Sequence, residues 1–242
     1  MTHILNLEDK NISIIYMNNL NNFKNLISKK RWLIFCIFFT LLLQLSITIG
    51  TYFYIDKNPK LKKQLQIENN NIFKLGFIFL FLIILIIAMV SFNLPFSIRF
   101  LMFTIFSIIQ GIFFLFATHH IPNEIIKAAL VSTNFIFILF LIVGTILVYF
   151  KINLSFLYLF LIFSLIFIII SRIINFFMVY SSNISKILTV FTLFIFSIFI
   201  LYDTNNILLR YENTGVDCIR GSLDYYLNLI NIFSSMLNLN SE

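Results

Sequence analysis

What most constrains this chain is where its charged residues are missing. Seven apolar spans can be drawn along it: Trp32–Ile55, Leu75–Ile98, Phe100–Thr118, Ala128–Phe150, Ile152–Ser171, Ile187–Leu209 and Gly221–Leu239, each 19 to 24 residues long. The chain carries 17 Lys+Arg and 10 Asp+Glu, yet only Asp203 and Asp224 fall inside these spans. A charge at the centre of a bilayer costs about 2.5–3.5 kcal/mol, so this depletion is what exposure to lipid would enforce. A helix rising about 1.5 Å per residue needs roughly 20 apolar residues to cross a hydrocarbon core of about 30 Å. Strands stop after about 4–8 residues, and a membrane barrel would alternate in polarity over segments of about 10. Neither pattern is present. The expected fold is all-α: a polytopic membrane protein with seven transmembrane helices.

Composition excludes the other classes. Hydrophobic residues make up 60% of the 242, charged residues only 11%, and the mean hydropathy is +0.97. The net charge of +7 would suggest nucleic acid on a soluble protein, but too few polar residues remain to coat one. Disorder needs low hydrophobicity and fails as well. The chain divides into a polar, basic segment over 1–31, a transmembrane domain over 32–239 and a short tail over 240–242. In the first segment Ile12, Ile15, Tyr16, Leu20, Phe23 and Ile27 recur at helical spacing beside Lys24, Lys29 and Lys30. That fits a helix lying on an anionic membrane surface or, equally, an Asn- and Ile-rich disordered tail. No secretory cleavage pattern precedes Trp32, so the first span is expected to be retained. Basic residues divide almost evenly between the two sets of loops. The Lys29-Lys30-Arg31 cluster against the first span favours a cytoplasmic N-terminus.

Several chemistries find no support. Cys36 lies inside the first span and Cys218 before the last, and a disulfide between them is not expected. His119 and His120 are adjacent in a short loop near Glu124, and neighbouring side chains on a helix diverge, so a solvated loop is preferred to a metal site. There is no nucleophile motif, phosphate loop, HExxH or CxxC. The expectation is a non-enzymatic protein with no cofactor and no nucleic-acid partner. Lys151 alone separates the fourth and fifth spans and forces an antiparallel hairpin, while Pro95 is expected to end or kink the second helix. Gly50, Gly111 and Gly144 each sit within a span and mark possible close approaches.

The two acids inside spans stand out. Asp203 follows sixteen apolar or hydroxyl residues in FSIFILYDTNNILLR. Asp224, Asn228 and Asn231 follow in GSLDYYLNLINIF, where spacings of four and seven put all three on one helix face. An intramembrane carboxylate is a functional-site hypothesis by default, against the plainer reading that Asp203 is solvated at a helix end. Two acids held away from water together would form a proton-dependent switch.

These residues resemble the Bax inhibitor-1 (transmembrane Bax inhibitor motif) family. FILYDTNNILLR followed by CIRGSLDYYLNLINIFSSML resembles its C-terminal signature. RWLIFCIFFTLLLQLSITIG resembles its first helix, FTIFSIIQGIFF its third with Gly111 at the usual glycine, VYFKINLS its fourth-to-fifth turn and IINFFM the end of its fifth helix. The resemblance runs in order from Arg31 to Leu239, and the paired C-terminal motifs are its specific part. It implies six helices around a central C-terminal seventh and, in many members, a pH-sensitive calcium leak. There an acid of the sixth helix and one of the seventh share a proton. Asp203 matches the first of these acids. The second falls at Asn228, because the pattern YLDxINLF reads YLNLINIF here.

Two arrangements follow from that departure. Either Asp224, one turn earlier, becomes the partner and a gate survives, or Asp203 and Asn228 form a latch whose leak is lost or constitutive. The displacement of about 5.4–6 Å per helical turn favours the latch. Tyr202, Thr204 and Asn231 are the supporting polar residues of this candidate proton- and ion-sensing site. No basic partner for the acids is evident, since Arg99 falls between spans and Arg172 lies towards the other membrane face. The resemblance to the bacterial branch implies an inner-membrane location. It also implies an alternative role, in membrane-protein quality control through association with the membrane protease FtsH, with 1–31 as the handle. Calcium or other cations are the partners implied by the leak. A solute transporter is the weaker third reading, since paired broken helices are absent from the pattern.

Overall fold

Long runs of Ile, Leu and Phe form helices here because lipid leaves the backbone no partner outside its own segment. The computed structural model describes the backbone of residues 2–58, 60–61, 72–91, 94–118, 121–177, 182–214 and 217–241. Side chains are described over the same ranges apart from 2–19, 72–79, 91, 176–177, 182 and 210–214. The elements are α1 (Thr2–Asp56), α2 (Ile72–Ser91), α3 (Phe96–Thr118), α4 (Asn123–Tyr149), α5 (Leu157–Phe177), α6 (Ser182–Thr214) and α7 (Cys218–Ser241). No strand occurs among the described residues. His119 and His120 lie outside them.

Among the described residues, five helices contain stretches long and apolar enough to cross a membrane, within Leu20–Asp56, Phe96–Thr118, Asn123–Tyr149, Leu157–Asn175 and Asn183–Leu209. Their outward faces are apolar, with Val131, Phe135 and Phe163 each about two-thirds exposed or more. On a soluble protein such a surface would be an aggregation hazard; on a multi-pass membrane protein it is the lipid contact. The described part of α2 gives a shorter apolar stretch, Leu80–Val90, and α7, with Arg220, Asp224, Asn228 and Asn231, is too polar to stand with those five.

The polar seventh helix is instead covered by its neighbours. Ile219, Leu223, Tyr226 and Ile232 are wholly buried, and Ser222, Tyr225, Asn228 and Ser235 nearly so. Those positions cover all of α7 but one stripe, where Arg220, Asp224, Leu227 and Asn231 are half-buried; the helix packs on α6, α1 and α4 and more lightly on α3 and α2, while α5 joins by packing on α6. The main core cluster runs through the same contacts, from Ile37 and Leu41 of α1 to Ile200 of α6 and Leu223 of α7.

Local chemistry sets the helix ends. α2 stops at Ser91 and Pro95 opens α3, its carbonyl accepting from the amides of Ile98 and Arg99. The proline therefore starts a helix where it was expected to end or kink one, and Arg99 lies in the first turn of α3, not between spans. Lys151, at φ 58°, reverses the chain between α4 and α5, as its lone position required. α1 runs on without a break from residue 2 into the first span, so residues 2–31 of the polar segment have a helical backbone. A further expectation is overturned. Cys36 and Cys218 form a disulfide, their Cα atoms 5.6 Å apart across a sequence separation of 182. Burial of one cysteine does not prevent pairing once packing brings α1 against the first residue of α7.

Candidate polar latch between the last two helices

Asp203 reaches the interior because it sits on the face of α6 that packs against α7, one residue before the buried Thr204. Its Oδ2 accepts a hydrogen bond from Nδ2 of Asn228 at 2.6 Å. Asp203 is 9% exposed and Asn228 4% exposed, so the carboxyl–amide contact is closed off from the surface of the bundle. Beside it, the Thr204 and Tyr225 hydroxyls share a hydrogen bond of 2.8 Å, and Thr204 also donates to the Ile200 carbonyl. Gly144 of α4 lets this cluster form. A Cβ there would stand 3.0 Å from that of Thr204, so glycine allows α4 to close over α6. The Tyr225 ring is fixed by stacking on Phe38 and by an edge contact with Phe137. A cavity of about 170 Å³ between α1, α4 and α6 reaches this pair, bounded by Ile34, Phe38, Leu141, Thr145 and Leu208.

The other expected members are placed differently. Asp224 is half-buried one turn before Asn228 and faces the charges of Arg220 and Asp217 as well as Asp203. The group in hydrogen-bond contact with Asp203 is Asn228. Asn231 turns back on its own helix and donates to the Leu227 carbonyl at 2.8 Å. The Tyr202 ring packs near Tyr158 of α5, with centroids 6.2 Å apart. Among the described residues no group of three or more His, Cys, Asp or Glu is placed to hold a metal ion.

Three further polar features were missed by the sequence reading. The first is at the start of α7, where Asp217 accepts from the Arg220 amide at 2.9 Å and so caps the helix. The same carboxylate takes both terminal nitrogens of Arg99, whose Nε donates to the Met89 carbonyl. The second is the set of Asn205 contacts: Nδ2 donates to the Ile152 carbonyl at 2.7 Å and Oδ1 accepts from the Leu154 amide, which clamps the α4–α5 turn to α6. The third is a buried cluster on the opposite side of α7. Gln44 accepts from Ser107 and donates to Thr104, and the Thr48 hydroxyl meets that of Tyr226 at 2.5 Å. Thr40, Gln44 and Thr48 recur every four residues inside an apolar span, which was the available signal for this inward stripe.

Fold and contacts together define a polytopic helical membrane protein whose polar last helix is held at the centre of the bundle by buried hydrogen bonds. The chain belongs to the Bax inhibitor-1 family: the family model described as Inhibitor of apoptosis-promoting Bax1 matches residues 29–241. No curated protein matches it.

Proposed function

We propose that this is a non-enzymatic inner-membrane protein of the cation-leak type, with calcium as the first ion to test, whose closed state is held by Asp203 and Asn228. The observation that carries this reading is the buried 2.6 Å bond joining α6 to α7. A carboxyl bonded to an amide lacks the like-charge repulsion that two acids in contact would have, and Asp224 acts on Asp203 only from one helical turn away. Closure in this chain therefore depends on the hydrogen bond, and its response to pH is shallow. Calcium flux into liposomes carrying the purified protein, followed from mildly acidic to neutral pH, tests the idea. Asn228→Ala should raise flux severalfold. Asn228→Asp should steepen its pH dependence by placing a second carboxyl against Asp203, and Asp203→Asn should flatten it. Absence of flux from the wild type and all three variants would exclude the leak.

A second reading is supported by the length of α1. The part of α1 whose side chains are described, Leu20–Asp56, is 37 residues, well beyond what a bilayer needs, and the helix continues further towards the N-terminus. That extension is the proposed contact with a membrane protease such as FtsH, with the protein acting as a non-conducting regulator. Co-purification of the full chain, but not of a chain starting at Lys29, would support this; equal capture of both would exclude the extension as the handle.

A further inference from the structure

Two links from different helices converge on adjacent residues at the start of α7. Asp217 is ion-paired to Arg99 of α3, and Cys218 is bonded to Cys36 of α1. Ten residues, or about 15 Å of rigid helix, separate Cys218 from Asn228. Whatever holds this end of α7 also holds Asn228 against Asp203. We propose that the Cys36–Cys218 disulfide is a reversible redox latch on α7, regulating the Asp203–Asn228 closure; the regulatory half of this inference rests on the leak reading above.

The surroundings suit a bond that opens and closes. Cys36 is half-buried and lies five residues, about 7.5 Å, beyond Arg31, so it sits just below the basic cluster that marks the end of the first span. Cys218 is 8% exposed, which makes Cys36 the sulfur open to attack. The Thr40 hydroxyl lies 3.3 Å from Sγ of Cys218, so that sulfur keeps a hydrogen-bond partner when it becomes a thiol and stays placed for reclosure.

The chemistry is exchange with a dithiol reductant. One reductant thiolate attacks the Cys36 sulfur, forms a mixed disulfide and releases Cys218, which takes up a proton. The second reductant thiolate then attacks the mixed disulfide, displacing Cys36, which is protonated in turn. Two electrons pass to the bridge, and the reductant leaves as its own disulfide. An oxidised dithiol carrier reverses each step. Disulfides exposed to a reducing compartment are characteristically transient and regulatory, whereas a permanent staple would resist this exchange.

The full-length protein in liposomes, oxidised and then treated with a dithiol, tests the proposal by three measurements on one sample. Maleimide labelling reads the thiols, amide hydrogen exchange over 218–232 reads α7, and calcium flux reads the pore. The expected result is labelling at both cysteines only after reduction, faster exchange in α7 and a severalfold rise in flux. Cys36→Ser should hold the raised flux and ignore the reductant. The proposal is overturned if no labelling appears after reduction, or if exchange in α7 is the same in both states, whatever the flux does. If α7 loosens on reduction while no flux is seen in either state, the redox latch stands and the leak reading falls.

Discussion

At the scale of single residues, the bundle depends on a few polar and small side chains at positions where lipid-facing helices would normally carry Ile or Phe. Asn228→Ala leaves the Asp203 carboxyl buried without its amide donor, and an unsatisfied buried acceptor costs about 1–3 kcal/mol. Unfolding in detergent should show a loss in that range, whereas Asn231→Ala, which removes only a bond within its own helix, should cost less. Glycines give a second comparison. A Cβ at Gly111 would meet the Thr48 carbonyl oxygen at 2.5 Å and Thr51 Cβ at 2.8 Å. A backbone oxygen cannot swing aside, so Gly111→Ala must push α3 from α1 and should destabilise by about 1–3 kcal/mol. Gly50 has nothing within 4 Å of that position, and Gly50→Ala should leave the unfolding midpoint unchanged or raise it.

At the scale of the helices and their ends, the sequence was informative where the signal is local. The charge-free runs mark the spans, and one acid in the sixth with polar residues spaced by four in the seventh marks the two faces that meet. Partners far apart in the chain were not legible. Cys36 and Cys218 look unrelated at a separation of 182, and Arg99 looks like a loop residue because Pro95 hides the true start of α3. The Asp203–Asn228 contact was foreseeable as one of two arrangements, but choosing between Asn228 and Asp224 needs the rotation of α7, which tertiary packing decides. The clamp by Asn205 shows how such a contact acts on an element. Its amide satisfies one carbonyl and one amide of the α4–α5 turn, groups that no helix can pair. Asn205→Ala should speed amide exchange at Leu154 at least severalfold while leaving α4 and α5 protected. Equal exchange in the variant and the wild type would show that the turn holds without the clamp.

At the scale of the whole molecule, the least apolar of the seven helices occupies the most buried place. This inverts the usual order of a soluble core and follows from the solvent: outer helices must be apolar because lipid touches them, while a central one can be polar if its neighbours complete its hydrogen bonds. In α7, Tyr225, Tyr226 and Asn228 find those partners on α6 and α1, and Asp217 finds Arg99 on α3. The helix therefore depends on the bundle for its place in the membrane. Asp224 would cost up to about 2.5–3.5 kcal/mol within an isolated span, and the side-chain amides would add to that, whereas Arg220 lies in the first turn. Cys218–Ser241, fused alone into a membrane-insertion reporter, should fail to span. Phe96–Thr118 should insert efficiently, because Arg99 lies in its first turn where the long side chain reaches the interface. Restoring the preceding helices should rescue α7, and substituting Asn228 and Tyr226 by alanine within that longer chain should weaken the rescue. Insertion of the isolated seventh segment as efficient as that of the third would mean that its own hydrophobicity is sufficient, and that the buried bonds set its rotation without setting its depth.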